Sequence, residues 1–94
     1  MNIYVIRWAS RVDGEEESGN FEVCYTDEAK ARKAMLKDFK NTKADWEKDG
    51  AKVDSRTLGP NGENDENCDY MEITVEDDGS YDYHEWYIDK LDVE

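Results

Sequence analysis

Long apolar runs, histidine, proline and, toward the C-terminus, positive charge are what this 94-residue sequence has least of. No stretch approaches the ~18 apolar residues of a membrane span. The opening MNIYVIRW meets Arg7 after a short apolar run with no basic segment ahead of it, so a secretory signal is not expected. Cys24 and Cys68 are the only cysteines, without CxxC or Cys/His spacing, which removes a zinc site. The simplest expectation is two reduced thiols in a cytoplasmic protein, with a Cys24–Cys68 disulfide left open as the alternative. A lone histidine, His84, leaves one candidate imidazole for acid–base work.

Cations are outnumbered 12 to 25, giving a formal charge of -13, and the imbalance is uneven. Residues 1–50 carry nine basic and eleven acidic side chains; residues 51–94 carry three, Lys52, Arg56 and Lys90, against fourteen. From Asn61 onward Lys90 faces thirteen carboxylates. Direct binding of nucleic acid is therefore not expected, because phosphate binding depends on cation clusters that release counterions. A protein that itself grips nucleic acid is the natural electrostatic partner. Eleven aromatics, six of them Tyr and three Trp, exclude a disordered acidic tail. The length supports one domain, residues 1–94, with one modest core.

Ile3–Val12 is rich in β-branched and aromatic residues, with Tyr4, Ile6, Trp8 and Val12 on one face at period two, and reads as a first strand. Residues 13–20 read as a charged hairpin loop, and Phe21, Val23 and Tyr25 as the returning strand. Thr26, followed by Asp27 and Glu28, is the expected helix cap. The helix runs to about Trp46 or Lys48 and stops at Gly50, expected in a left-handed conformation. Ala31, Met35, Phe39, Thr42 and Trp46 form its apolar stripe, and Lys30, Lys33, Lys37 and Lys40 its solvated side. Ala51–Thr57 is a short candidate strand, and Leu58–Asn67, with the only proline, is a loop.

The last thirty residues read most clearly. Met71, Ile73 and Val75 alternate with polar residues up to Asp78-Gly79, a dipeptide suited to a two-residue hairpin turn because such turns need positive φ. That turn sets the register: Asp77 faces Ser80, Thr74 faces Tyr83, Glu72 faces Glu85, Met71 faces Trp86 and Tyr70 faces Tyr87. Met71, Ile73, Val75, His84, Trp86 and Ile88 then share the core face. The other face alternates Tyr70, Glu72, Thr74, Glu76, Tyr81, Tyr83, Glu85 and Tyr87. Glu72 opposite Glu85 is a like-charge pair that folding alone does not favour, and interleaved tyrosines supply rigid contact area of the kind enriched in interfaces. Loop carboxylates Glu63, Asp65 and Glu66, together with Asp89, extend the array.

Catalytic patterns are weak. His84 is expected in the core, and a Cys–His pair would need a spatial coincidence that nothing in the spacing supports. Glu72 and Glu85 without a cleft make poor acid–base partners. No Gly-rich phosphate loop or nucleophile elbow is present. Oxygen donors at Asp77, Asp78, Ser80 and Asp82, or across Asn61–Asp69, do not match the twelve-residue calcium loop. Neither an enzyme nor a cofactor nor a metal site is expected.

The size, the charge and a sheet carrying Glu72, Glu76, Glu85 and Asp89 among tyrosines resemble the small nucleic-acid-mimic inhibitors of phages and mobile elements, the anti-CRISPR and anti-restriction proteins. The resemblance implies a non-enzymatic inhibitor that occupies the groove where a basic nuclease effector holds nucleic acid. The hairpin register and the neighbouring acids, not the resemblance, supply the expected contacts: Glu72, Glu76, Glu85, Tyr81, Tyr83, Tyr87 and Asp89, with Glu63, Asp65 and Glu66 at the rim. Two alternatives accompany it: an immunity protein against a nuclease toxin, and a general interaction module whose contact is the helix or the first hairpin. The expected fold is α+β, a mostly antiparallel sheet with one amphipathic helix, in the order β-β-α-β-β-β.

Overall fold

A computed structural model describes residues 1–59, 62–63, 68–77 and 79–93. The elements are β1 (Asn2–Val12), β2 (Glu15–Asn20), α1 (Glu28–Lys48), β3 (Asp54–Gly59), β4 (Gly62–Glu63), β5 (Tyr70–Asp77) and β6 (Ser80–Asp92). Among the described residues all strand pairs are antiparallel, in one six-stranded sheet of order β2-β1-β6-β5-β3-β4, with one helix, on one side of it. This is the expected α+β fold. Its one addition is β4, two residues inside the stretch read as loop, opposite Leu58 and Gly59. Among the described residues no helix is long and apolar enough to cross a membrane.

The two longest strands, β1 and β6, lie side by side at the centre, Trp8 opposite Trp86 and Ile6 opposite Ile88. That pairing joins the two ends of the chain. Alternation then sends Ile6, Met71, Ile73 and Trp86 to the helix side, where all four are fully buried with Met35, Phe39 and Cys68. On α1, Ala31, Met35 and Phe39 are buried and Trp46 packs at the margin, as the stripe required. Phe39 meets Trp86 edge to face, with ring centroids 5.7 Å apart. The indole N–H of Trp86 donates to Asp38 Oδ2 at 2.7 Å, so the largest core side chain buries its polar atom with a charged acceptor. Arg32 ties the same helix to Asp69, just before β5, at 2.9 Å, and pairs with Glu28 one turn earlier.

The β5–β6 register is the expected one at every position, from Tyr70 opposite Tyr87 to Asp77 opposite Ser80. Gly79 has φ of 85°, as the turn needs; Asp78 lies outside the described residues. The first hairpin is different. Asp13 and Gly14 have φ of 53° and 82°, both positive, and Val12 faces Glu15 across them. The returning strand is therefore Glu15–Asn20, where the sequence pattern predicts a loop, while Phe21–Tyr25, the predicted strand, only touches the edge of β1. Phe21 N–H donates to Ile6 O at 2.8 Å, and Tyr25 exchanges two backbone bonds with Tyr4. Apolar alternation favoured Phe21–Tyr25, but the short Asp-Gly turn fixed the pairing first. As a charged edge, Glu15–Glu17 also resists pairing with other chains.

Two boundaries shift. The helix cap is Asp27, one residue past Thr26, its carboxylate accepting from Ala29 N–H at 2.9 Å. The third strand begins at Asp54 and reaches Gly59, rather than spanning Ala51–Thr57. Gly50 is left-handed as expected, with φ of 85°, and its N–H donates to Glu47 O at 3.0 Å. Cys24 is exposed and Cys68 buried, and the two are not joined in a disulfide; Cys68 Sγ donates to Tyr70 O.

Candidate functional site

The helix covers one side of the sheet and leaves the other side as an open face. Register and alternation place its rows. Across β2, β1, β6, β5 and β3, one row reads Ser18, Ala9, Glu85, Glu72 and Arg56; the next reads Asn20, Arg7, Tyr87, Tyr70 and Leu58; a third reads Glu16, Arg11, Tyr83, Thr74 and Asp54. Glu76 and Tyr81 sit opposite one another at the hairpin end, and Asp89 faces Val5 at the other. Glu72, Glu76, Glu85, Tyr81, Tyr83, Tyr87 and Asp89 thus share this face. Glu63 is in β4, opposite Leu58. Asp65 and Glu66 lie outside the described residues.

At the centre, the Tyr70 hydroxyl lies 2.8 Å from Glu85 Oε2 and 3.0 Å from Glu72 Oε2. One proton serves two carboxylates, so the cross-strand pair that looked purely repulsive is held together by a donor. Burial first, then the hydrogen bonds to Glu85 and Glu72, push the Tyr70 hydroxyl well above the ordinary tyrosine range. The bridge therefore keeps its proton at neutral pH.

The face is less uniformly acidic than the C-terminal segment read in isolation. Arg7 and Arg11 arrive on β1 beside Tyr87 and Tyr83, and Arg56 arrives on β3 beside Glu72. Arg7 Nε meets Asp89 Oδ2 at 2.9 Å, and Arg56 Nε lies 3.5 Å from Glu72 Oε1. All three arginines come from before Asn61, on strands whose pairing with β5 and β6 only the fold supplies. Partly exposed pairs of this kind contribute modestly to stability, ~0–1 kcal/mol each. Their larger effect is on the charge pattern: carboxylates concentrate along β5 and β6, with arginines along both flanks. Tyr81 and Tyr83 pair obliquely at 6.2 Å on the same face.

Charge also separates between layers. Glu28–Lys48 carries seven basic and four acidic residues, net +3, leaving five basic and twenty-one acidic residues elsewhere, net -16. The excess negative charge thus belongs to the sheet, its loops and the turns.

His84 lies on the helix side, as expected. Its ring stacks on Trp86 at 4.0 Å and on Trp8 at 5.5 Å, and Nε2 is buried without a hydrogen-bond partner among the described residues. Burial lowers its pKa, against the opposing pull of Asp38 and Glu85. Trp8 in turn lies over Gly19, where an added Cβ would come within 3.1 Å of the indole. The histidine is thus one layer of an aromatic stack.

Three contributions escaped the reading of the sequence: the flanking arginines, the Tyr70 bridge and Asp38 under Trp86. The register of the last hairpin already put Tyr70 beside both glutamates' strands, so that bridge had a signal. Comparison with protein-family models finds no match. Searches among curated proteins and among solved structures likewise find none.

Proposed function

We propose that this protein is a non-enzymatic inhibitor that uses the open sheet face to occupy the nucleic-acid-binding surface of a basic protein. The observation that carries this reading is the central stripe of Glu72, Glu85, Glu76 and Asp89 interleaved with Tyr70, Tyr81, Tyr83 and Tyr87 on a face no helix covers. Tyr81 and Tyr87 are 52% and 40% exposed, which leaves their rings available for contact. Along a strand, same-face side chains repeat every ~6.6 Å, and neighbouring strands are ~4.8 Å apart. Duplex DNA presents one charge per ~3.4 Å on each strand. The array therefore matches phosphate density in part, and Tyr contact area supplies the remainder of the affinity. Flanking arginines favour a partner whose basic groove is bordered by acidic residues, since complementary charge sets register as well as attraction.

The lysine side of α1 favours one rival. Lys30, Lys33, Lys37 and Lys40 are exposed along one stripe, the contact surface for an interaction module that uses its helix. The two readings separate by substitution. In a pull-down from the native host, the first recovers a nucleic-acid-binding protein that DNA or RNA competes away. Replacing Glu72, Glu76 and Glu85 together by Gln leaves the fold intact and weakens that complex, and raised salt weakens it steeply. Loss of binding on changing Lys33 and Lys37, with the glutamine variant unaffected, overturns it.

A further inference from the structure

On the helix side, where β1, β6 and β5 run past the end of α1, a small pocket lies away from the open face. Its floor is Val12, Asp82 and Val75 from the three adjacent strands; Trp46, from the last turn of α1, and Asp49 and Ala51, just beyond, complete it. The volume is about 220 Å³. That is below the ~300–1,000 Å³ of ordinary small-molecule sites, and of a size for one side chain.

Its chemistry is specific. Among the described residues most of the wall is apolar, one side is an indole, and the charged lining residues, Asp49 and Asp82, are carboxylates. The C-terminal end of α1, at Lys48 and Asp49, adds the negative pole of the helix. Asp82 already accepts one bond, from Asp13 N–H at 3.1 Å to Oδ1, which fixes the carboxylate in place. An indole beside carboxylates is the arrangement that takes a cation stacked on the ring and paired at its edge. Guanidinium meets both requirements, because it is planar, stacks on aromatic faces and pairs with carboxylates through a rigid fork.

We infer that this pocket receives an arginine side chain from the protein partner, a second contact on the opposite side of the sheet from the Tyr–Glu face. The inference rests on the partner being basic, as proposed above. A partner holding both sites wraps around the hairpin end of β5–β6, near Glu76 and Tyr81.

The test does not need the partner. Isotopically labelled protein is titrated with arginine amide, with norleucine amide as the uncharged control, and followed by NMR. The expected result is saturable movement of the Trp46 indole N–H and of the Val12 and Asp82 amides, with norleucine amide at least about tenfold weaker. Asp49→Asn with Asp82→Asn, which keeps an oxygen to accept from Asp13, weakens arginine amide at least about tenfold while the remaining spectrum stays folded. Equal binding of the two amides, no movement at Trp46, or a preference for lysine amide overturns the assignment. Movement confined to Glu72 and Glu85 overturns the pocket and leaves the open-face reading standing. Conversely, a pocket that binds arginine amide, in a protein whose partner binding ignores the glutamine variant, retains this inference and removes the open-face reading.

Discussion

The two sides of the sheet are built from alternate residues of the same strands, yet they answer to different physics. On the helix side the neighbours of Trp86 are Trp8, Met71 and Phe39, close packing dominates, and the buried indole N–H is satisfied from within by Asp38. On the open side the neighbours of Tyr87 are Arg7 and Tyr70, water supplies what the protein does not, and charge sets the pattern. One side is constrained by packing, the other by electrostatics. Substitutions on the first are expected to report on folding, and on the second on binding.

The sharpest way to break this contrast uses adjacent residues. Trp86→Ala is expected to cost ~3–5 kcal/mol, a large share of the ~5–15 kcal/mol that holds a domain of this size together. Tyr87→Ala is expected to cost under ~1 kcal/mol, because its ring is already half in water. Urea unfolding of the two variants checks it; similar costs would show that the open face packs against something.

Asp38→Ala is next, at ~1–3 kcal/mol, since it strands the Trp86 indole N–H in the core. Asp38→Asn keeps an acceptor and is expected to lose less. Equal losses would mean that the charge, rather than the hydrogen bond, matters.

On the open side, Tyr70→Phe removes the hydroxyl that bridges Glu72 and Glu85 and is expected to cost ~1 kcal/mol. Glu85→Gln, which relieves the repulsion, is expected to recover part of that loss in the double variant. Additive effects would show that the bridge does not couple the two carboxylates.

His84 extends the contrast to pH. Burial lowers its folded pKa below the ordinary 6.5, so the unfolded chain takes up the proton first as pH falls. Stability from the neutral ring is complete above pH ~6.5 and declines below it toward the lowered folded value. His84→Phe, which keeps a stackable ring, is expected to flatten that part of the profile in thermal melts. An unchanged slope between pH 7 and 5 would assign it to carboxylates instead.

The smallest effect is salt. With -16 outside the helix, moderate salt is expected to raise the melting temperature slightly by screening, although Arg7–Asp89 and Arg56–Glu72 weaken in the same step. A fall in melting temperature would show that the ion pairs outweigh the repulsion.

How far the fold was legible follows from how local its signals are. The last hairpin was readable residue by residue because an Asp-Gly turn and apolar alternation agreed. In the first hairpin they disagreed: Asp13-Gly14 called for pairing at Glu15–Asn20, whose polar residues carry no alternation, and Phe21–Tyr25 offered alternation without the turn. The turn prevailed, because two residues with positive φ commit the chain to pair at once. The candidate face was legible in its β5 and β6 columns alone, for the same reason.

By itself the sequence determined the α+β class, the buried stripe of α1, the register of β5 against β6 and the scarcity of cations after Asn61. These depend on neighbours a few residues apart, where periodicity, capping and turn chemistry act. Tertiary structure alone decided that β1 lies against β6, that Arg7, Arg11 and Arg56 flank the carboxylates, that Asp38 meets Trp86, and that Trp46 closes a pocket over Val12, Val75 and Asp82. Each of those joins residues distant in the chain, through strand order and helix placement that are selected by the packing of the whole core.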